Sequence, residues 1–194
     1  MNASLESLTR VVGGQQFPAV GTWVFEAGNS EVAFSVKHMM ISRVRGSFKE
    51  FTGELVVADR PEDSSARVTI AAASVDTGLA FRDRDLRSDY FLDVEHHPTL
   101  EFVSTSLAPD GDDWRLVGDL TIAGKTRPVT LVVEFQGAAV DPWGHSKVVF
   151  SARTEIDRED WGLTYNKAIE GGGVLVGSKI KIEIEVQAKP GEAR

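Results

Sequence analysis

The stretch VLVGSKIKIEIEV, residues 174–186, alternates apolar and polar side chains over most of its length. Successive side chains of a β-strand point to opposite faces, so this period of two predicts one strand with an apolar inner face. The inner face is predicted to carry Val174, Val176, Ile180, Ile182, Ile184 and Val186. The outer face carries Lys179, Lys181, Glu183 and Glu185. Such a strand needs a second apolar layer, or a sheet that closes on itself.

The same period of two runs through the chain from Thr22 onward. In EVAFSVKH, residues 31–38, the apolar face holds Val32, Phe34 and Val36, and His38 continues that face by parity. Further strands are predicted over residues 44–58, 65–75, 98–107, 114–123, 127–137 and 145–157. Their number predicts an all-β protein of about eight antiparallel strands.

Local signals mark a bulge, three turns and one helix. The parity of the apolar residues changes near Lys49–Glu50, which predicts a β-bulge within the strand 44–58. Turn residues predict hairpin connections at PDGDD (109–113) and AGKTR (123–127) and a wider loop at VDPWGH (140–145). A short helix is predicted over FRDRDLRS, residues 81–88.

The length of the strands distinguishes between a sandwich and a barrel. The strand 44–58 would span ~45 Å if fully extended at about 3.3 Å per residue, which suits a tall, tilted barrel. The predicted interior contains small residues, namely Gly46, Gly53, Ala66, Ala72, Gly118 and Ala152. These indicate room for a ligand, although close packing of large against small side chains would give the same alternation.

The chain of 194 residues is predicted to form one domain over residues 21–190. Residues 1–20 are predicted to be an extension, partly disordered, in which Leu5 and Leu8 could share one short helical face. Residues 191–194 form a short tail.

Charge and composition exclude several classes of function. The formal charge of −8 argues against nucleic acid and makes attraction to an anionic membrane unlikely. The absence of cysteine excludes disulfides and thiolate chemistry. The first 20 residues lack the basic and apolar regions of a signal peptide, and no apolar run reaches the length of a membrane helix, so a cytoplasmic protein without stable membrane insertion is expected.

Four ordered blocks carry a family resemblance that covers about residues 22–188. They are FSVKH (34–38) with VRGSF (44–48), RDRDLRSDYFLDVEHHPTLEF (82–102), GDLTIAGKTRPVTLVV (118–133), and IDREDWGL (156–163) with EGGGVLVG (170–177). With these blocks the chain resembles the YceI-like family of lipocalin-like barrels. It differs from the family pattern at Asp85, where a histidine is usual, and at Tyr90, where an aspartate is usual.

The resemblance implies an extended eight-stranded antiparallel lipocalin-like barrel that encloses a polyisoprenoid, such as a polyprenyl pyrophosphate or an isoprenoid quinone. It implies binding, sequestration or transport and no catalytic reaction, and it also fits a homodimer. The predicted ligand-binding residues are Phe34, Val36, His38, Phe48, Phe51, Arg87, His97, Phe102, Trp114, Leu116, Phe150, Ile180 and Ile182. Arg87 enters this set because a guanidinium suits the oxygens of a pyrophosphate at the mouth.

Two other interpretations stay open. An enzyme acting on a small hydrophobic substrate would use His38 or His97 as general base. A filled barrel would serve as a structural or dimerisation module. No metal site is predicted, because His96 and His97 are adjacent on an extended chain and point to opposite faces.

Overall fold

A computed structural model describes residues 8–170 and 172–191, so the helical face predicted at Leu5 lies outside the described residues. The strands are β1 (Thr9–Val12), β2 (Gln15–Pro18), β3 (Gly21–Phe25), β4 (Glu31–His38), β5 (Ser42–Phe48), β6 (Phe51–Val57), β7 (Ser65–Ala71), β8 (Val75–Asp76), β9 (Thr99–Asp110), β10 (Asp113–Ile122), β11 (Lys125–Val140), β12 (Ser146–Asp157) and β13 (Val176–Pro190). The α-helix α1 spans Ala80–Arg87, and 3-10 turns lie at Ala27–Asn29, Pro61–Asp63, Ala72–Ser74 and Arg158–Trp161.

The sheet closes on itself through β13. One edge of β13 pairs with β12, from Val148↔Ala188 to Asp157↔Lys179, and its other edge pairs with β3 and β4. The strands β3 and β4 lie end to end, as do β5 with β6 and β7 with β8, so that the ring has eight positions. All neighbours are antiparallel, which confirms the predicted eight-stranded antiparallel barrel.

The predicted local features lie where the sequence indicates. The long strand 44–58 is interrupted at Lys49–Glu50, and both Phe48 and Phe51 point to the interior on either side of the break. The neighbouring strand is interrupted opposite it, where the Lys49 N–H donates to the Ser74 carbonyl at 3.1 Å. The three predicted turns connect β9 to β10, β10 to β11 and β11 to β12, and the helix begins one residue earlier than predicted.

Three of the small interior residues do not leave open volume, contrary to expectation. A Cβ on Gly46 would lie 2.5 Å from the ring of Phe34, its partner across β4 and β5. The ring of Phe25 lies in the same way over Gly53, and that of Phe102 over Gly118. Each glycine therefore accommodates an aromatic ring from a neighbouring strand, because a larger side chain would occupy the same space.

The strands β1 and β2 form a hairpin, here called the N-terminal hairpin (Thr9–Pro18), which the sequence analysis does not predict. Phe17 is 5% exposed, and its ring lies 4.9 Å from that of Trp114. The Gln15 side chain donates to the Gly111 carbonyl at 2.8 Å, and the Arg10 guanidinium donates to the carbonyl of Ala58. The N-terminal hairpin therefore closes the end of the barrel formed by the β6–β7 and β9–β10 connections.

We expect Phe17→Ala to lower the free energy of unfolding by about 3 kcal/mol, because it opens a cavity between the N-terminal hairpin and the barrel. Val11→Ala is the matched control on the same hairpin, since Val11 is 72% exposed and should change stability by no more than about 0.5 kcal/mol. Urea unfolding measures both values. Equal effects from the two substitutions would show that the hairpin does not pack on the barrel.

We also expect Gly118→Ala to destabilise the barrel by about 1–3 kcal/mol, as overpacking of a filled core does. The added Cβ would meet the Phe102 ring and lie 2.7 Å from the Val103 carbonyl oxygen. Gly28→Ala is the control, because nothing lies within 4 Å of a Cβ at that position. A Gly118→Ala protein as stable as the control in thermal unfolding would contradict the described position of the Phe102 ring.

Candidate functional site

The barrel encloses a cavity of about 300 Å³. Phe17 and Pro18 of the N-terminal hairpin border it at one end, and Leu86 and Leu92 border it at the α1 end. Its volume is at the lower limit of the range typical of sites for small molecules. An interior of this kind differs from the completely filled barrel that the sequence also allowed.

The walls of the cavity are apolar. Among the described residues that line it, only Ser64, Ser65, Thr154 and Arg158 have polar side chains. The alternation along each strand produces this surface, because every second side chain points into the closed ring. The cavity can therefore hold an apolar molecule, while it offers few partners to a polar one.

Eight of the predicted ligand-binding residues line the cavity, and they are Phe34, Val36, Phe48, Phe102, Leu116, Phe150, Ile180 and Ile182. Phe51 and Trp114 point inward but are buried in the packed core beside the cavity. Trp114 supports Phe17 of the N-terminal hairpin. The side chains of His38, Arg87 and His97 lie outside the cavity lining.

Arg87 helps to hold α1 over its end of the barrel. Its Nε donates to the Ala73 carbonyl at 2.7 Å, and Nη2 donates to the Val75 carbonyl at 2.8 Å. The buried carboxylate of Asp83 accepts from the Thr77 hydroxyl at 2.6 Å. No ion pair joins the charged side chains of α1 to each other within the described part of the chain. They fix the helix to the strand ends instead.

Three histidines, His38, His96 and His97, lie at the α1 end of the barrel, and none of them lines the cavity. His38 ends β4, two residues beyond Val36 of the cavity wall, and pairs with Val176 and Ser42. The ring of His97 lies against the β10–β11 turn, where a Cβ on Gly124 would be 2.6 Å from its Cε1 atom. The Asp93 carboxylate, 2.8 Å from Nδ1 of His96, raises the pKa of that exposed imidazole.

Arg158 is the charged residue that the sequence analysis did not assign to the site. It is 3% exposed and borders the cavity at the α1 end. Its Nε donates to the Gly177 carbonyl at 3.0 Å, and Nη1 donates to the carbonyls of Leu163 and Tyr165. Burial lowers the pKa of the Arg158 guanidinium, and nearby carboxylates oppose that shift. The one sequence feature that pointed to Arg158 was its position within the block IDREDWGL, residues 156–163.

Asp157 does not pair with Arg158, although the two adjoin in sequence. Its carboxylate accepts from the Glu159 N–H at 3.1 Å, and it pairs with Lys179 of β13 at 3.2 Å. The Glu159 N–H and the Lys179 ammonium hold the pKa of the Asp157 carboxyl below its usual value. The Arg158 guanidinium therefore has backbone carbonyls as its partners, while the residue itself borders the cavity.

Two classes of feature are missing from the described residues. No group of three or more His, Asp or Glu side chains converges there as a metal site would require. None of the helices within the described ranges has the length and apolar character needed to cross a bilayer.

Comparison with known proteins identifies a matching domain family and similar sequences. The YceI-like domain matches the chain over residues 23–188. A UPF0312 protein of Staphylococcus epidermidis is 36% identical over 166 residues, which cover 84% of this chain and 94% of that protein.

Solved structures share the fold. Burkholderia cenocepacia BcnA superposes with a TM-score of 0.74 at 23% identity, over 85% of this chain and 99% of BcnA. A polyisoprenoid binding domain from Saccharophagus degradans, implicated in plant cell wall breakdown, superposes with a TM-score of 0.62 at 14% identity, over 89% of this chain and 99% of that domain.

We expect Arg158→Met to lower the free energy of unfolding by about 3 kcal/mol, because several buried carbonyls lose their donors. Arg115→Met is the control, since Arg115 forms an exposed ion pair with Asp110 at 3.1 Å whose loss should change stability by about 1 kcal/mol or less. Urea unfolding compares the two variants. An Arg158→Met protein no less stable than the control would show that the guanidinium is not needed to hold the segment after β12.

Proposed function

The chain belongs to the YceI-like family, and on that premise we propose that it is a non-enzymatic binding protein that holds a polyisoprenoid lipid inside its barrel. The tail would lie in the cavity, and the mechanism is sequestration from water. The observation that carries the proposal is the apolar cavity that extends from the N-terminal hairpin to α1. The Saccharophagus degradans domain of the same fold is described as polyisoprenoid binding, which supports this class of ligand.

The energetics of burial favour a tail of several prenyl units. Burial of apolar carbon contributes about 0.8 kcal/mol per group, so one five-carbon unit contributes about 4 kcal/mol at most. Association costs at least about 4 kcal/mol, and micromolar affinity corresponds to about 8 kcal/mol. Micromolar binding therefore requires at least about three buried prenyl units.

We place the entrance and the head group at the α1 end. The opposite end is closed by the buried Phe17 and Pro18 of the N-terminal hairpin. At the α1 end, Arg158 supplies a positive charge beside the cavity, and His38, Arg87 and His97 are the proposed outer contacts. Because backbone carbonyls already accept from Nε, Nη1 and Nη2 of Arg158, this charge does not select between a polyprenyl pyrophosphate and an isoprenoid quinone, and we propose both as ligands.

Two further predictions accompany this function. A homodimer is expected from the family resemblance, and size-exclusion chromatography with light scattering would measure it. We also propose a cytoplasmic location, which fractionation of the source cells would test.

Native mass spectrometry of protein purified without detergent tests the function directly. We expect bound lipid in the wild-type protein, and we expect Leu116→Trp to reduce its occupancy about tenfold or more because the indole fills the cavity. Arg115→Trp is the matched control, since Arg115 precedes Leu116 on β10 and points to the outer face, so the variant should keep the lipid. Circular dichroism checks that both variants fold.

The proposal fails if the wild-type protein carries no lipid and binds neither added polyprenyl phosphates nor quinones. It also fails if Leu116→Trp and Arg115→Trp retain the same amount of lipid, because the ligand would then lie outside the barrel.

A further inference from the structure

The β4–β5 hairpin ends in three exposed apolar residues, here called the apolar tip (Met39, Met40 and Ile41). Their exposed fractions are 43% for Met39, 53% for Met40 and 88% for Ile41. Turns between strands are usually polar, and a water-soluble protein gains nothing by exposing three consecutive apolar side chains. The composition of this turn therefore needs an explanation other than folding.

The backbone conformation at Met39 and Met40 is one that methionine rarely adopts. Met39 and Met40 have φ angles of +50° and +60°, in the left-handed region. A hairpin turn with two successive positive φ values favours Asn and Gly, and other side chains adopt it at an energetic cost. Two methionines at these positions present flexible apolar side chains to the outside where Asn-Gly would satisfy the turn with less strain.

The arms of the hairpin are basic, although the chain as a whole carries a formal charge of −8. Residues 32–49 contain four cations and no carboxylate, and the cations are Lys37, Arg43, Arg45 and Lys49. Lys37 and Arg43 face each other across β4 and β5, and like charges placed opposite each other repel. Within the described ranges, no acidic side chain forms an ion pair with either of them.

The charged side chains of β13 next to the hairpin are also unevenly distributed along the strand. On β13, Lys181 pairs with Ser35 near the apolar tip, whereas Glu183 and Glu185 pair with Ala33 and Glu31 further away. On this part of β13 the lysine therefore lies toward the tip and the two glutamates lie away from it, while the adjoining β12 places Glu155 opposite Lys181.

The apolar tip adjoins the α1 end of the cavity. Val36 of β4 lines the cavity and pairs with Ile180, and His38, next to the tip, pairs with Val176, which also lines the cavity. A Cβ on Gly173 would lie 3.3 Å from Cγ of Met40, so the tip packs beside the turn before β13. Val174 of that turn is also exposed, which extends the apolar surface.

We propose that the apolar tip of the β4–β5 hairpin inserts reversibly into the surface of an anionic lipid bilayer while Lys37 and Arg43 contact the lipid head groups. Apolar side chains beside basic ones are the combination that interfacial membrane segments use. Attraction of the whole acidic molecule is not required, because each basic side chain near an anionic surface contributes locally and the effect of distant charges is screened. A protein partner would be expected to offer carboxylates in defined positions, whereas a bilayer also accommodates the flexible methionines and Ile41.

The chain contains no cysteine, so one introduced cysteine gives a single labelling site. We expect an environment-sensitive nitrobenzoxadiazole dye on Ile41→Cys to brighten and shift to the blue on addition of phosphatidylcholine vesicles that contain phosphatidylglycerol. Pure phosphatidylcholine vesicles should give little response, and added salt should weaken the response to the anionic ones. The same dye on Val11→Cys, in the N-terminal hairpin at the opposite end, should not respond.

Vesicle co-sedimentation of unlabelled variants measures the two contributions separately. We expect Lys37→Gln to reduce the partition coefficient about fivefold, since one cation at an anionic surface is removed. Ile41→Ser should reduce it roughly tenfold, since an apolar side chain leaves the bilayer. Val11→Ser, an equally exposed apolar change at the other end, should leave it unchanged.

These vesicles carry no isoprenoid, so the result does not depend on the proposed cargo. A dye at position 41 that does not respond to anionic vesicles overturns the inference, as does an equal response from the dye at position 11. A dimer that Ile41→Ser dissociates, together with no response to vesicles, would assign the apolar tip to a second copy of this chain and would also overturn it.

Discussion

The double pairing of β13 is the constraint on which the rest of the structure depends. An open sheet leaves unpaired N–H and C=O groups at its edges, and β13 removes both edges by pairing with β12 on one side and with β3 and β4 on the other. Once the ring is closed, every second side chain of every strand must point into a common interior. The apolar wall and the cavity are consequences of this closure, and so is the acidic and basic outer surface.

Closure also explains why the interior is partly packed and partly empty. Phe25, Phe34 and Phe102 lie over glycines of adjacent strands, and these pairs fill the interior locally without widening the ring. Between such pairs the interior is lined by branched side chains of medium size, which do not fill it, and the remaining space is the cavity. A ligand with a flexible apolar tail suits this shape better than a rigid one, because the tail can follow an irregular path between the aromatic rings.

Much of the fold could be predicted from the sequence because its main signal is local. The period of two fixed the strands, and the change of parity at Lys49–Glu50 located the break between β5 and β6. The N-terminal hairpin was missed because QQFP has too few residues to show a period, and the burial of Phe17 depends on Trp114, which lies far away in sequence.

The cavity wall was predicted at positions such as Leu116, whereas Phe51 also faces inward but is packed against other core residues. Parity gives the face of a residue but not the space in front of it. Arg158 was not assigned to the site because its partners are backbone carbonyls, which leave no pattern in the sequence.

The N-terminal hairpin closes one end of the barrel with Phe17 and Pro18. Under the proposed function, a tail that enters at the α1 end would reach Phe17 and Pro18, so the length of the cavity, and not only its width, would limit which chain lengths fit completely. These two residues lie outside residues 23–188, the segment that matches the YceI-like domain. In this chain the end wall of the cavity thus comes from residues beyond the matched domain, so under the proposed function Phe17 and Pro18 would set the tail length independently of the strands of the barrel.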